Sequence, residues 1–285
     1  MLEGGIIMDT KSGTVPELAM LPRMFALPLL SAAFFIIVPA QAFPQSTDTT
    51  DALIRQSTFI FRGTVEKVGA STMPAVAAND FTAVVRVDEL IDAPGAPPDL
   101  AGKSVTVKLL QANSVKAGEQ LTFFTKGWLM GNSMAVIEVG RSAAAQNPSD
   151  QVRRTRALMA DEGLQKQLAT AEAIVVGIVR SVQPAAIRHL ATEHDPDWYE
   201  AHIEVESAIR GRISGREMTI VFPHSDDVMW KRSPKFTQGE RGIWLLHRNQ
   251  ARLPGIEDRY TALDPLDFRP AGELDRVRRL SGNER

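Results

Sequence analysis

The sequence predicts a mostly β protein: two tandem five-stranded barrels, each followed by a short α-helix. Three observations carry that expectation. Ser57–Val68 (STFIFRGTVEKV) returns 114 residues later as Ala171–Val182 (AEAIVVGIVRSV), an apolar burst with a glycine, Gly63 or Gly177, and valines beyond it. Phe81–Ile91 places Ala83, Val85 and Val87 on one side of an extended chain, and Tyr199–Ile209 repeats this with Ala201, Ile203 and Val205. Such period-2 alternation marks a half-buried strand. Finally, Asp150–Arg154 and Asp275–Arg279 share the pattern Asp-x-Val-Arg-Arg, each with a proline upstream (Pro148, Pro270), as suits a helix start.

In chain order, Leu21–Ala42 has the three parts of a secretory signal: Arg23, the apolar run Met24–Val38 and a small-residue ending, Ala40-Gln41-Ala42. The apolar run falls short of the roughly 20 residues a spanning helix needs. The expectation is therefore cleavage after Ala42, a mature start at Phe43 and no stable membrane span afterwards. Residues 1–19 are long and mildly acidic for such a leader, so Met20 and Met24 are alternative starts.

The first barrel is expected over 43–147. Pro44–Thr50 reads as a linker and Asp51–Gln56 as a turn or two of helix before the strand Ser57–Val68. Strands Phe81–Ile91, Ser104–Leu110, Gln120–Thr125 and Met134–Val139 follow. The mid-strand glycine signals a bulge or sharp bend. A connecting helix is expected over 148–161, its first turns carrying Asp150–Arg154. The second barrel, 162–285, repeats the list with Tyr199–Ile209, Ser214–Val221, Gly242–Leu246 and Tyr260–Leu263, and ends in the helix of Asp275–Arg279. Gly118-Glu119 and Gly239-Glu240 open the fourth strand of each copy. Five short strands with a strongly curved first one point to a closed barrel of the OB kind, and closure removes the edges an open sheet would expose.

The run Ala171–Val179, then Ile203-Glu204-Val205 leading to Ile209-Arg210-Gly211, Met218-Thr219-Ile220 and Phe236–Arg241, resembles the netrin-module and tissue-inhibitor-of-metalloproteinase type of OB barrel. It is also similar to uncharacterised bacterial secreted proteins built on that pattern. The resemblance implies the fold. The inhibitors act through an amino-terminal cysteine and are cross-linked by disulfides, and this chain contains no cysteine, so that mechanism does not come with it.

Absence of cysteine also removes disulfide staples, thiolate metal sites and a Cys nucleophile. With a net charge of −2 and no long basic run, the chain lacks the electrostatic footprint of a nucleic-acid binder. No P-loop, no G-x-G-x-x-G after a strand, no G-x-S-x-G and no S-x-x-K occurs.

All five histidines lie in the second copy. His189, His194 and Asp195 sit in a loop dense in carboxylates, at spacings that could hold a divalent ion. His224 and Asp226 follow the third strand, and the two loops are expected to converge, since OB barrels bind through loops at one mouth. Trp198 and Trp230 fall at loop ends, where rings could stack on a glycan or peptide; Trp244 is expected in the core as the counterpart of Phe123.

Three functional expectations result, one of them a structural envelope protein in which the duplicated barrels act as a rigid spacer, which the sequence does not separate from a binding protein. The leading one is a periplasmic or secreted, non-enzymatic binding protein without cofactor, engaging a protein or glycan of the cell envelope through Trp198, Trp230, His224 and Asp226. The alternative is a metal-dependent envelope hydrolase using His189, His194 and His224 with Glu193 or Asp226.

Overall fold

The computed structural model describes residues 47–97, 99–131, 133–144, 147–187, 195–248 and 259–282. The expected secretory signal lies outside them. The described chain is built mostly of strands in two separate sheets. The first sheet closes as β1-β2-β3-β5-β4, from Phe59–Val68, Thr82–Asp92, Ser104–Lys108, Gln120–Met130 and Met134–Ala143. The second has the order β10-β8-β7-β6-β9, from Tyr260–Thr261, Glu217–His224, Asp197–Arg210, Ala173–Pro184 and Arg241–Arg248. A β10–β9 pairing closes it, and a short strand β11 (Phe268–Pro270) adds to β9. In both sheets one parallel pairing completes the ring: β3 with β5, and β8 with β10.

The two barrels are wound alike, down to their irregularities. Strand β1 slips register against β2 between Ile60 and Phe61, Arg62 and Gly63, and Val65 and Lys67. Strand β6 slips against β7 between Ile174 and Val175, Val176 and Gly177, and Val179 and Ser181. These are the same three places in the repeat. Gly63 is required by the second slip: a Cβ there would meet Val85 Cγ1 at 2.6 Å and the Arg86 carbonyl oxygen at 2.7 Å. At Gly177 a Cβ would meet Ile203 Cγ2 at 2.8 Å and press harder still on the Glu204 carbonyl. The bulges bend the first strand enough to pair with β2 on one edge and β4 on the other.

The fourth strand of each barrel, β4 and β9, is entered through the same kind of turn. Gly118 and Gly239 have φ of +84° and +86°, a backbone region that favours glycine. Val65 and Val179 each exchange two backbone hydrogen bonds with that turn: Val65 N–H donates to Glu119 O and Val179 N–H to Glu240 O, both at 2.9 Å, while the glycine N–H groups donate back. The carboxylates of Glu119 and Glu240 accept the N–H of Lys116 and Thr237.

Each barrel has its own apolar centre. In the first, Phe61 and Phe123 stack at 5.5 Å among Val65, Val85, Val87, Val105 and Val107. In the second, Trp244 packs with Phe222, Phe236, Ile203 and Ile220, with Phe268 at 5.2 Å from its ring. Val175 faces Trp244 as Phe61 faces Phe123, so Trp244 is the core counterpart of Phe123.

The helices differ from the expected boundaries. Helix α1 begins at Thr47, inside the expected linker, and runs to Gln56. Helix α2 runs from Ser149 to Thr170, well past the expected end near 161. It is two helices fused. Its first half follows barrel one, with Val152 against Ile54, Ile60 and Phe124. Its second half precedes barrel two, with Leu168 against Ile174, Leu245 and Val277, the last from α3 (Leu274–Leu280). Leu168 thus plays for barrel two the part Ile54 of α1 plays for barrel one. At about 100° per residue, Thr155 and Leu164 point to opposite sides of α2. With two buried faces in succession, the helix shows no single apolar stripe for a sequence reading to follow.

Polar contacts fix α2 at both ends. Asp51 accepts from Thr155 Oγ1 (2.6 Å) and Gln151 Nε2 (3.0 Å), which hold its carboxyl below the usual range. Arg156 bonds Asp92 and the Ser57 carbonyl. At the other end Gln167 donates to Asp267 and shares a 3.0 Å hydrogen bond with His247 Nε2. His247 and Asp267 are both buried.

The fifth strand shows the largest difference between copies. In barrel one β5 is continuous, pairing Ile137 with Lys126 and Arg141 with Phe123. In barrel two the same strand is broken: Thr261 of β10 pairs with His247, and Phe268 of β11 with Trp244. The break turns at Asp267, whose carboxylate accepts the N–H groups of Leu263 (2.7 Å) and Asp264 (2.9 Å). Burial raises the Asp267 pKa against those hydrogen bonds.

Candidate binding mouth of the second barrel

Strands β7 and β8 pair from Asp197↔His224 onwards, so the loops outside that pair belong to one barrel mouth. There Asp195, Asp197, His224, Ser225, Asp226 and Lys235 line a polar cleft of about 500 Å³. The two loops do converge, through Asp195 before β7 and Asp226 after β8. His189 and His194 lie outside the described residues. Among the described residues no group of three or more His, Cys, Asp and Glu side chains could hold a metal ion.

Three carboxylates, an imidazole and one ammonium make the cleft predominantly acidic. His224 is exposed and packs its ring 4.7 Å from Tyr199. Lys235 is half-buried, and its Nζ donates to the carbonyls of Trp230 (2.8 Å) and Ser233 (3.0 Å). Burial pulls its ammonium below the ordinary lysine range, while the Asp226 carboxylate pulls it back. Lys235 therefore ties down its own loop as well as lining the cleft. Such an arrangement can receive cationic or hydrogen-bond-donating groups. Ser225 Oγ accepts the N–H of Asp227 at 3.1 Å, which is turn chemistry.

The two tryptophans behave differently from the expected accessible pair. Trp198 is only 5% exposed and packs with Ile187 and Val221, so the expectation of an accessible ring does not hold for it. Its residue falls inside β7, on the outer side of the barrel, where Ile187, Val221 and Trp230 cover it, which the loop-end position in the sequence did not reveal. Trp230 is half-buried, its ring edge-on to Trp198 at 5.6 Å. The ring contact ties the β8–β9 loop, which carries Trp230, to strand β7. Lys235 was not legible as a cleft residue, because its role depends on two carbonyls brought round by the loop. Asp197 had a signal, the density of carboxylates around His194.

Barrel one treats the corresponding mouth otherwise. Its β1–β2 loop is stitched to the barrel by hydroxyls: Thr106 Oγ1, fully buried, accepts the Thr72 N–H (2.8 Å) and shares a hydrogen bond with Thr72 Oγ1 (2.9 Å), which meets Ser133 Oγ (2.8 Å). Asn79, the residue matching Asp197, accepts the Phe81 N–H. Among the described residues, no helix is long and apolar enough to cross a membrane. No protein-family model matches the chain, and the curated proteins give no significant match.

Proposed function

We propose that this chain is a secreted or periplasmic, non-enzymatic binding protein whose second barrel engages a protein or glycan of the cell envelope. The observation that carries this reading is the divergence of the two mouths on one repeated scaffold. Strand order, bulges and core contacts repeat, whereas the second barrel carries an acidic cleft at the β7–β8 end and the first pins its β1–β2 loop to β3 through hydroxyls. Function in duplicated domains concentrates in loops carried on a rigid frame. The netrin-like pattern of the second copy supports the same reading by analogy of fold, without the cysteine chemistry of the inhibitors.

The test uses the full chain immobilised in envelope extract, with quantitative identification of what it retains. Asp195→Asn combined with Asp226→Asn should reduce a retained partner at least about tenfold, while Thr106→Val in barrel one should leave it unchanged. Equal retention by both variants would refute the assignment to the second mouth. Fractionation with an antibody should place the mature chain outside the cytoplasm.

A further inference from the structure

Val228 and Met229 are the two most exposed large apolar side chains among the described residues, at 85% and 63%. They are adjacent, and they sit at the lip of the acidic cleft, two and three residues beyond Asp226. We propose that they form a preformed knob that inserts into an apolar pocket of a protein partner whose rim carries Lys or Arg on the side facing the cleft. This rests on the binding role proposed above and names its contact.

The segment is held in place. Asp227 Oδ1 accepts the Met229 N–H at 2.8 Å, and Asp227 O accepts the N–H groups of Trp230 (2.9 Å) and Lys231 (2.7 Å). Ser233 N–H donates to Trp230 O, which Lys235 Nζ also reaches, and the Trp230 ring rests on buried Trp198. A loop anchored on both sides of its apolar tip spends its hydrogen bonds holding two side chains in water. Preorganisation of this kind removes the ordering cost that a slack loop carries into binding, and methionine is among the residues enriched in protein interfaces.

Charge decides the kind of partner. Asp226 precedes the knob, with Asp195 and Asp197 across the cleft, while exposed Lys231 and Arg232 follow it. A dipolar flank fixes one docking direction, basic rim over the cleft.

The experiment replaces Val228, or in a separate chain Leu110 of barrel one, which is also exposed, with the photo-crosslinking residue p-benzoylphenylalanine. The full chain is expressed in the cells that encode it. Irradiation at position 228 should give an adduct with one protein, mapped to a peptide where apolar residues border Lys or Arg. Met229→Asp should lower its yield at least about tenfold and Met229→Leu should preserve it. An adduct with lipid, an adduct with a second copy of this chain, a yield indifferent to Met229→Asp, or no adduct at 228 would each overturn the knob. An adduct at 110 alone would overturn the knob while leaving a binding role intact, so the two proposals fail separately.

Discussion

The two barrels share a winding but not a way of finishing it. Barrel one closes with a long hairpin, β4 and β5 paired from Leu121↔Ala143 to Met130↔Met134, and pins its β1–β2 loop to the outer side of β3 and the β4–β5 turn with Thr72, Thr106 and Ser133. Barrel two closes through two residues, Tyr260 and Thr261, wedged between β8 and β9. It then relies on the Asp267 turn and on Gln167 of α2 to hold the broken strand. Its mouth opens into a charged cleft with an apolar lip. The frame is common to both copies, and the fifth strand and the loops at the mouth are where they differ. The bulged first strand and the apolar centre are constant because closure depends on them; the fifth strand and the mouth vary because closure tolerates it.

The equivalence of the centres is broken most severely by truncation. Phe123→Ala and Trp244→Ala should each cost about 3–5 kcal/mol, measured by denaturant unfolding, since both empty a fully buried position. Trp244→Phe sharpens this: Trp244 Nε1 is buried without a hydrogen-bond partner, so the substitution forfeits volume but no bond and should cost about 1–2 kcal/mol.

Next in size, Gly63→Ala and Gly177→Ala should destabilise by about 1–3 kcal/mol each, because an added Cβ overlaps the neighbouring strand at both sites. A neutral result at one glycine only would break the identity of the two bulges. Thr106→Val should cost about 1–2 kcal/mol by leaving Thr72 N–H without its acceptor. Faster amide exchange at Thr72, with barrel two unaffected, would localise the effect.

The smallest effects distinguish the two ends of α2 by the sign of their pH dependence. Asp51 has a lowered pKa, so its contribution is present above the unfolded value of 3.8 and is lost as pH falls through the lower folded value. Asp51→Asn should remove part of the acid-side loss of stability. Asp267 has a raised pKa, so its contribution is full below 3.8 and fades as pH rises through the folded value. Asp267→Asn should therefore cost less near pH 7 than near pH 3, read from thermal unfolding midpoints.

Period-2 alternation and the repeated glycine made the fold class legible, since both express closure of a bent sheet. Helix α2 exceeds its expected length because its buried side changes between Val152 and Leu164 as it passes from one barrel to the next, which leaves no single stripe in the sequence. The broken fifth strand was hidden because β10 has only two residues, too few for any period. At the mouth, His224 and Asp226 were legible as a polar cluster after β8 and do line the cleft. Trp198 lies in β7 rather than in a loop, a difference hidden because a strand end and a loop end look alike in sequence, and Val228 and Met229 carry no pattern apart from being apolar. Exposure is a property of what packs nearby, and only the folded loop supplies it.

The most direct measurement concerns closure of the second barrel, the shortest link in the comparison. Nuclear Overhauser contacts across the parallel pair should join Ile220 to Tyr260, as they should join Val107 to Val136 in the first barrel. Both contacts in one sample are the expected result. Val107–Val136 contacts without any between Ile220 and Tyr260 would mean that the second sheet is open and that the chain does not hold the same barrel twice.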